Sequence, residues 1–110
     1  MKGFGNLGNI ANMVKQAQQM QKKLADLQEE LERLEVTVSS GGGMITVIMN
    51  GKQKLRSIRI DPALVKAEDV AMLEDLVLVA VNEALDRVQE MVKERMSALT
   101  GGIPIPGITT

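Results

Sequence analysis

The side chains whose grouping in this chain suggests chemistry are cationic. Lys15, Lys22 and Lys23 fall in one stretch with Lys2 ahead of them, and Lys52, Lys54 and Arg56 fall in another. Positive groups clustered this way suit phosphate, and they suit equally well a soluble surface or a sheet edge kept from pairing. The residues that are absent exclude more. With no cysteine and no histidine, disulfides, thiolate nucleophiles, imidazole bases and nearly every zinc or iron site drop out. Carboxylate pairs such as Glu29-Glu30 and Glu74-Asp75 lie in amphipathic patterns with nothing to bury them, so solvated faces explain them better than acid–base work. The eight methionines read as seam and core filler rather than soft-metal ligands. No catalytic residue, cofactor or metal is expected.

Two glycine motifs invite a nucleotide reading, and both fail on context. "GFGNLG", Gly3 to Gly8, fits G-x-G-x-x-G, but no strand precedes it and Asp26, near the distance for a ribose-binding acid, sits inside a helical repeat. In "VTVSSGGGMITVIMNGKQKLRSIRI" the glycines are followed by Met44-Ile45-Thr46-Val47-Ile48-Met49, rich in β-branched residues, rather than by the helix a phosphate loop needs. Gly41, Gly42 and Gly43 are therefore expected to join two antiparallel strands. Asn50-Gly51, a strong hairpin signal in which both residues take positive φ, leads to a third strand from Lys54 to Ile60. Its two-residue period places Lys52, Lys54 and Arg56 on one face and Arg59 on the other, beside Leu55 and Ser57.

The element before the sheet must carry the first group of lysines. Ile10, Met13, Ala17, Met20, Leu24, Leu27, Leu31 and Leu34 recur at steps of three and four, a heptad seam with nearly everything else polar. A helix from about Asn9 to Glu35 is on the order of 40 Å long, whereas a compact chain of this length has a radius of gyration near 13 Å, so part of it must project. Each large seam residue left in water costs roughly 1.5–3 kcal/mol. A second copy is the expected partner, through Met13, Ala17, Met20, Leu24, Leu27 and Leu31; packing on the chain's own second helix over part of the length stays open. In such a dimer Lys15 and Lys22, at f, and Lys23, at g, lie on the outer flanks.

After the strands, Asp61 is a helix-cap candidate with Pro62 behind it, and a broad apolar band from Val70 to Val92 predicts a helix from about Glu68 to Leu99 suited to covering a sheet. Thr100-Gly101-Gly102 supplies the stop. The fold class is α+β: long helix, three-stranded antiparallel meander, long helix. At 110 residues, 45% hydrophobic and 25% charged, a single domain over 1–110 is expected, with residues 1–8 a flexible lead and 101–110 a Gly/Pro-rich tail. The longest apolar run, Leu76 to Val81, is too short for a bilayer and "MKGFGNLGN" has no secretory core, so a cytoplasmic chain with no membrane partner and no small-molecule substrate is expected. Net charge is −1, but residues 1–25 carry only bases, 26–40 mainly acids, 41–60 only bases and 61–110 mainly acids, which creates local potentials that the total conceals.

Taken in order, "NLGNIANMVKQAQQMQKKLADLQEELERLEVT", "SGGGMITVIMNGKQKLRSIRIDP", "EDVAMLEDLVLVAVNEAL" and the closing "LTGG" resemble the YbaB/EbfC family of small bacterial nucleoid-associated proteins over almost the whole chain. The resemblance implies a homodimer of α-β-β-β-α subunits whose helices project like the arms of tweezers. It also implies binding of double-stranded DNA, alteration of its shape, and a role in nucleoid organisation and gene regulation. Carried onto this chain, the DNA contact falls on Lys15, Lys22 and Lys23, with Lys2, Lys52, Lys54 and Arg56 as further candidates. A dimeric coiled-coil scaffold that engages other proteins without touching DNA is the alternative the residues leave open.

Overall fold

A computed structural model of the chain describes the backbone of residues 2–101 and the side chains of residues 8–101. Helix α1 (Lys2–Arg33) leads into strands β1 (Glu35–Ser40), β2 (Ile45–Asn50) and β3 (Leu55–Ile60), then two 3-10 turns (Pro62–Leu64 and Ala67–Asp69) and helix α2 (Val70–Thr100). The expected α-β-β-β-α order is observed, and the sheet is an antiparallel meander β1-β2-β3. Helix α1 begins at Lys2 rather than about Asn9. Glycine weakens a helix by roughly 0.5–1 kcal/mol relative to alanine but does not forbid one, so the stretch expected to be a flexible lead is helical from Lys2. The side chain of Lys2, and the tail beyond Gly101, lie outside the described residues. Asp61 does cap, but it caps the first 3-10 turn, its Oδ1 accepting from the Ala63 N–H at 2.9 Å.

The core is one face of the sheet under α2. Val38 of β1 and Ile45, Val47 and Met49 of β2 point to that face and meet Ala80, Ala84 and Val88 of α2, all buried. Alanine at the two central helix positions lets the helix sit close on the strands, so branched residues fill the layer without aromatic help. The helix covers only two strands. It packs on β1 and β2, not appreciably on β3, so Leu55, Ile58 and Ile60 remain 40%, 46% and 38% exposed.

The face assignment expected for β3 is corrected by a bulge. The register pairs Ile48 with Ser57 but Met49 with Leu55, which leaves Arg56 as the extra residue. A bulge shifts the two-residue alternation: Leu55 shares the helix-facing side with Ile58 and Ile60, and Ser57 and Arg59 take the opposite side. Lys52 and Lys54 precede the strand, in the turn.

Both connections fall where expected, with different chemistry. Gly41, Gly42 and Gly43 have φ of 63°, 68° and 93°, three successive left-handed residues that only glycine adopts without strain. At the second hairpin the positive φ belongs to Gln53, not to Asn50 or Gly51. Gly51 is needed for space instead: a Cβ there would lie 2.6 Å from the Leu31 carbonyl oxygen.

Enlarging Ala84, fully buried between α2 and the sheet, tests this close approach. Ala84→Leu is expected to destabilise the fold by about 1–3 kcal/mol, seen as a lower urea midpoint at unchanged slope.

Candidate nucleic-acid interface

Helix α1 divides its seam between two environments. Toward the C-terminal end Leu27 and Leu31 are buried, at 6% and 4% exposure, against Met96 of α2, with Leu24, Leu34, Val92 and Leu99 around them. Those two seam positions are thus occupied within the chain, because α2 is long enough to run alongside them. Toward the other end Ile10, Met13 and Val14 are 55%, 66% and 51% exposed, Ala17 is exposed and Met20 half-buried. The free part of α1 is an arm. The radius of gyration is 21.5 Å and the longest dimension 82 Å, well beyond the 13 Å or so of a compact chain.

Lys15, Lys22 and Lys23 are all exposed on this arm, and no acid interrupts residues 8–25. The second basic group is elsewhere. Lys52 and Lys54, also exposed, ride on the turn that meets the last turn of α1: the Gly51 N–H donates to the carbonyls of Leu31 (2.8 Å) and Leu34 (3.0 Å). At 1.5 Å per residue, Leu31 lies roughly 13 Å along the helix from Lys22 and about 24 Å from Lys15. Asp26, Glu29, Glu30 and Glu32 occupy the interval. The structure therefore does not gather the predicted basic residues into one site; it separates an arm patch from a patch at the arm's base.

The base is a joint, and its central residue was not recognised as one in the sequence. The last carbonyls of a helix have no partner within it, and the β2–β3 hairpin supplies donors to those of α1. Asn50, fully buried, donates from Nδ2 to the Glu32 carbonyl at 3.2 Å, while its Oδ1 accepts from the N–H groups of Lys52 (2.9 Å) and Lys54 (3.0 Å). Arg56 Nη2 donates to the same Glu32 carbonyl at 3.2 Å, so this guanidinium is engaged at the end of α1. Beside the joint, Arg95 Nη1 meets Glu30 Oε1 at 2.6 Å, in an open groove of about 340 Å³ lined also by Lys23, Asp26, Leu27, Ala98 and Leu99. Along α2, exposed Glu74, Asp75, Asp86, Glu90 and Glu94 outnumber exposed Arg87, Lys93 and Arg95, which makes this helix less attractive to polyanions than the arm. Among the described residues no cluster of three acidic side chains is arranged to hold a metal.

The chain that carries this basic arm is similar to known proteins. The model of the YbaB/EbfC DNA-binding family matches residues 6–103. The chain belongs to this family. Among curated relatives, a nucleoid-associated protein of Moorella thermoacetica is 54% identical over 85 residues, 77% of this chain and 82% of the relative. One of Afipia carboxidovorans is 46% identical over 86 residues, covering 78% and 82% respectively. The crystal structure of an uncharacterized Helicobacter pylori protein is similar at a TM-score of 0.73 and 27% identity, over 80% of this chain and 92% of that one. In this YbaB/EbfC chain, the arm and the joint both fall within the matched residues.

The Arg95–Glu30 pair is about half exposed on both sides, at 46% and 42%, so solvent screens it. Arg95→Ala is expected to change the unfolding free energy by no more than about 1 kcal/mol, measured by urea denaturation; a larger loss would show that the pair, and not the apolar contact, holds α1 to α2.

Proposed function

We propose that this chain is a nucleoid-associated protein that binds double-stranded DNA as a homodimer, mainly through phosphates, and alters its conformation as part of nucleoid organisation and gene regulation. The observation that carries the reading is the acid-free run of exposed Lys15, Lys22 and Lys23 on a helix that leaves its own domain. Phosphate neutralisation needs only such charges and carries no base specificity, so any sequence preference comes from DNA deformability. Lys2, Lys52, Lys54 and Arg56 are further contacts, the last three meeting a phosphate path that reaches the base of the arm.

The second copy is argued from apolar surface. Arg87 Nη1 donates to the Thr37 carbonyl of β1 at 3.4 Å, so the flank of α2 half a turn away, where Leu78 projects, is on the β3 side. Leu78 is 59% exposed, and with Leu55, Ile58 and Ile60 it extends the core beyond the edge of α2. A self-complementary patch closing about a two-fold axis covers this strip without generating open filaments. Met13, Ala17, Met20 and Leu24 remain the seam positions proposed to face the partner's arm; Leu27 and Leu31, engaged with Met96, contribute by stiffening the arm's root.

Titration of labelled duplex at increasing salt tests the reading. If two copies place three arm lysines each on phosphates, affinity is expected to fall about 10³-fold between 50 and 200 mM salt. Reversing Lys15 and Lys22 to Glu together is expected to weaken binding at least tenfold without changing the far-ultraviolet circular dichroism. Salt-insensitive binding, or none, contradicts the proposal. Ile58→Asp, which puts a charge into the exposed strip, is expected to yield folded single chains by size-exclusion chromatography; an unchanged assembly would remove β3 from the interface.

A further inference from the structure

We infer that Asn50 and Gly51 are positioning residues for DNA binding: together they fix the direction in which α1 leaves the sheet, and so the path on which the arm lysines lie. The inference rests on the proposed role of the arm, but its structural half stands independently. Three contacts hold α1 to the body: an apolar patch, an ion pair and the hairpin joint. The patch of Leu27 and Leu31 on Met96 is small, and apolar attraction is itself non-directional. The Arg95–Glu30 pair is about half exposed, so solvent screens it. Only the joint is directional. Gly51 N–H is shared between the Leu31 and Leu34 carbonyls, Asn50 Nδ2 binds Glu32 O, and both donors belong to a hairpin whose own shape is locked by Asn50 Oδ1 on the Lys52 and Lys54 N–H groups.

One side chain thus closes the turn with its oxygen and orients the arm with its nitrogen. Its amide is fully buried, where a hydrogen bond cannot be exchanged for water. Gly51 adds a steric condition: with a Cβ 2.6 Å from the Leu31 carbonyl, the helix end must move away. At an arm of this length a small angular change at the root becomes a displacement of many ångströms at Lys15, and a patch that must be re-oriented on binding binds less tightly than one held in place.

Asn50→Asp separates the two roles, because the carboxylate keeps both turn acceptors and loses the donor to Glu32. The chain has no cysteine, so spin labels on Gln16→Cys and Asp86→Cys, diluted with unlabelled protein, report the arm–body distance within one chain. The native chain is expected to give one narrow distribution. Asn50→Asp is expected to broaden it, Gly51→Ala to shift its centre, and each to weaken duplex binding roughly three- to tenfold. Val38→Ala, a core truncation distant from the joint, is the control for lost stability. Unchanged distributions in both variants overturn the inference, as does a Val38→Ala chain whose DNA binding falls equally. If the distances respond while the native chain ignores DNA, the joint stands and the DNA reading fails. Hydrogen exchange on the unmodified chain guards against misfolded variants: the Gly51 and Lys54 amides are expected to exchange as slowly as Val47, and exchange at the rate of open loops would also overturn the inference.

Discussion

A small chain with a single aromatic residue cannot bury two helices of about 30 residues, and this limit on apolar area shapes everything else. The sheet offers one face, and α2 takes it through Ala80, Ala84 and Val88. Helix α1 receives what remains, a short contact at Leu27 and Leu31 with the C-terminal part of α2. An arm is the consequence. The same limit leaves β3 uncovered, since a helix about 10 Å across spans roughly two strands at 4.8 Å spacing. Projection and exposed apolar strip are therefore two results of one shortage, and the proposed second copy would relieve both.

Function follows from how charge is distributed over that shape. Bases sit on the free part of α1 and at its root, acids on α2 and in the interval between the two basic groups. On the proposed reading a polyanion approaching this molecule is steered to the arm and its root and away from α2. Binding by phosphates alone needs no aromatic platform and no helix seated in a groove by a turn motif, and the chain supplies neither. On the proposed reading geometry carries the discrimination instead: the spacing and stiffness of the arms would select a duplex path, and hence a DNA shape. The hairpin joint matters for that reason, since a lysine patch on a loosely held helix would bind any conformation equally.

Much of this was legible in the sequence. The steps of three and four from Ile10 to Leu34 specify a long helix with a narrow stripe, and the broader band of α2 specifies a helix lying on a sheet; both are periodic signals that local sequence carries directly. The triple glycine and Asn50-Gly51 mark the turns. What the turns do was not legible. Whether Gly51 is glycine for its φ or for its lack of a side chain depends on the Leu31 carbonyl, and the partner of the Asn50 amide is 18 residues away. The bulge at Arg56 has no local signature, and it reverses the expected face of Leu55. Likewise the seam reads the same from end to end, although α2 occupies one half and leaves the other open. The arm lysines were legible as a patch because no acid interrupts them, and their separation from Lys52 and Lys54 is a property of the fold alone.

The central claim is that paired chains, not single ones, form the DNA-binding unit. Sedimentation equilibrium at micromolar concentration, alone and with a short duplex, tests it most directly. The account predicts a species of twice 11.9 kDa that takes up one duplex per two chains. A folded single chain of 11.9 kDa that binds duplex as tightly would contradict it.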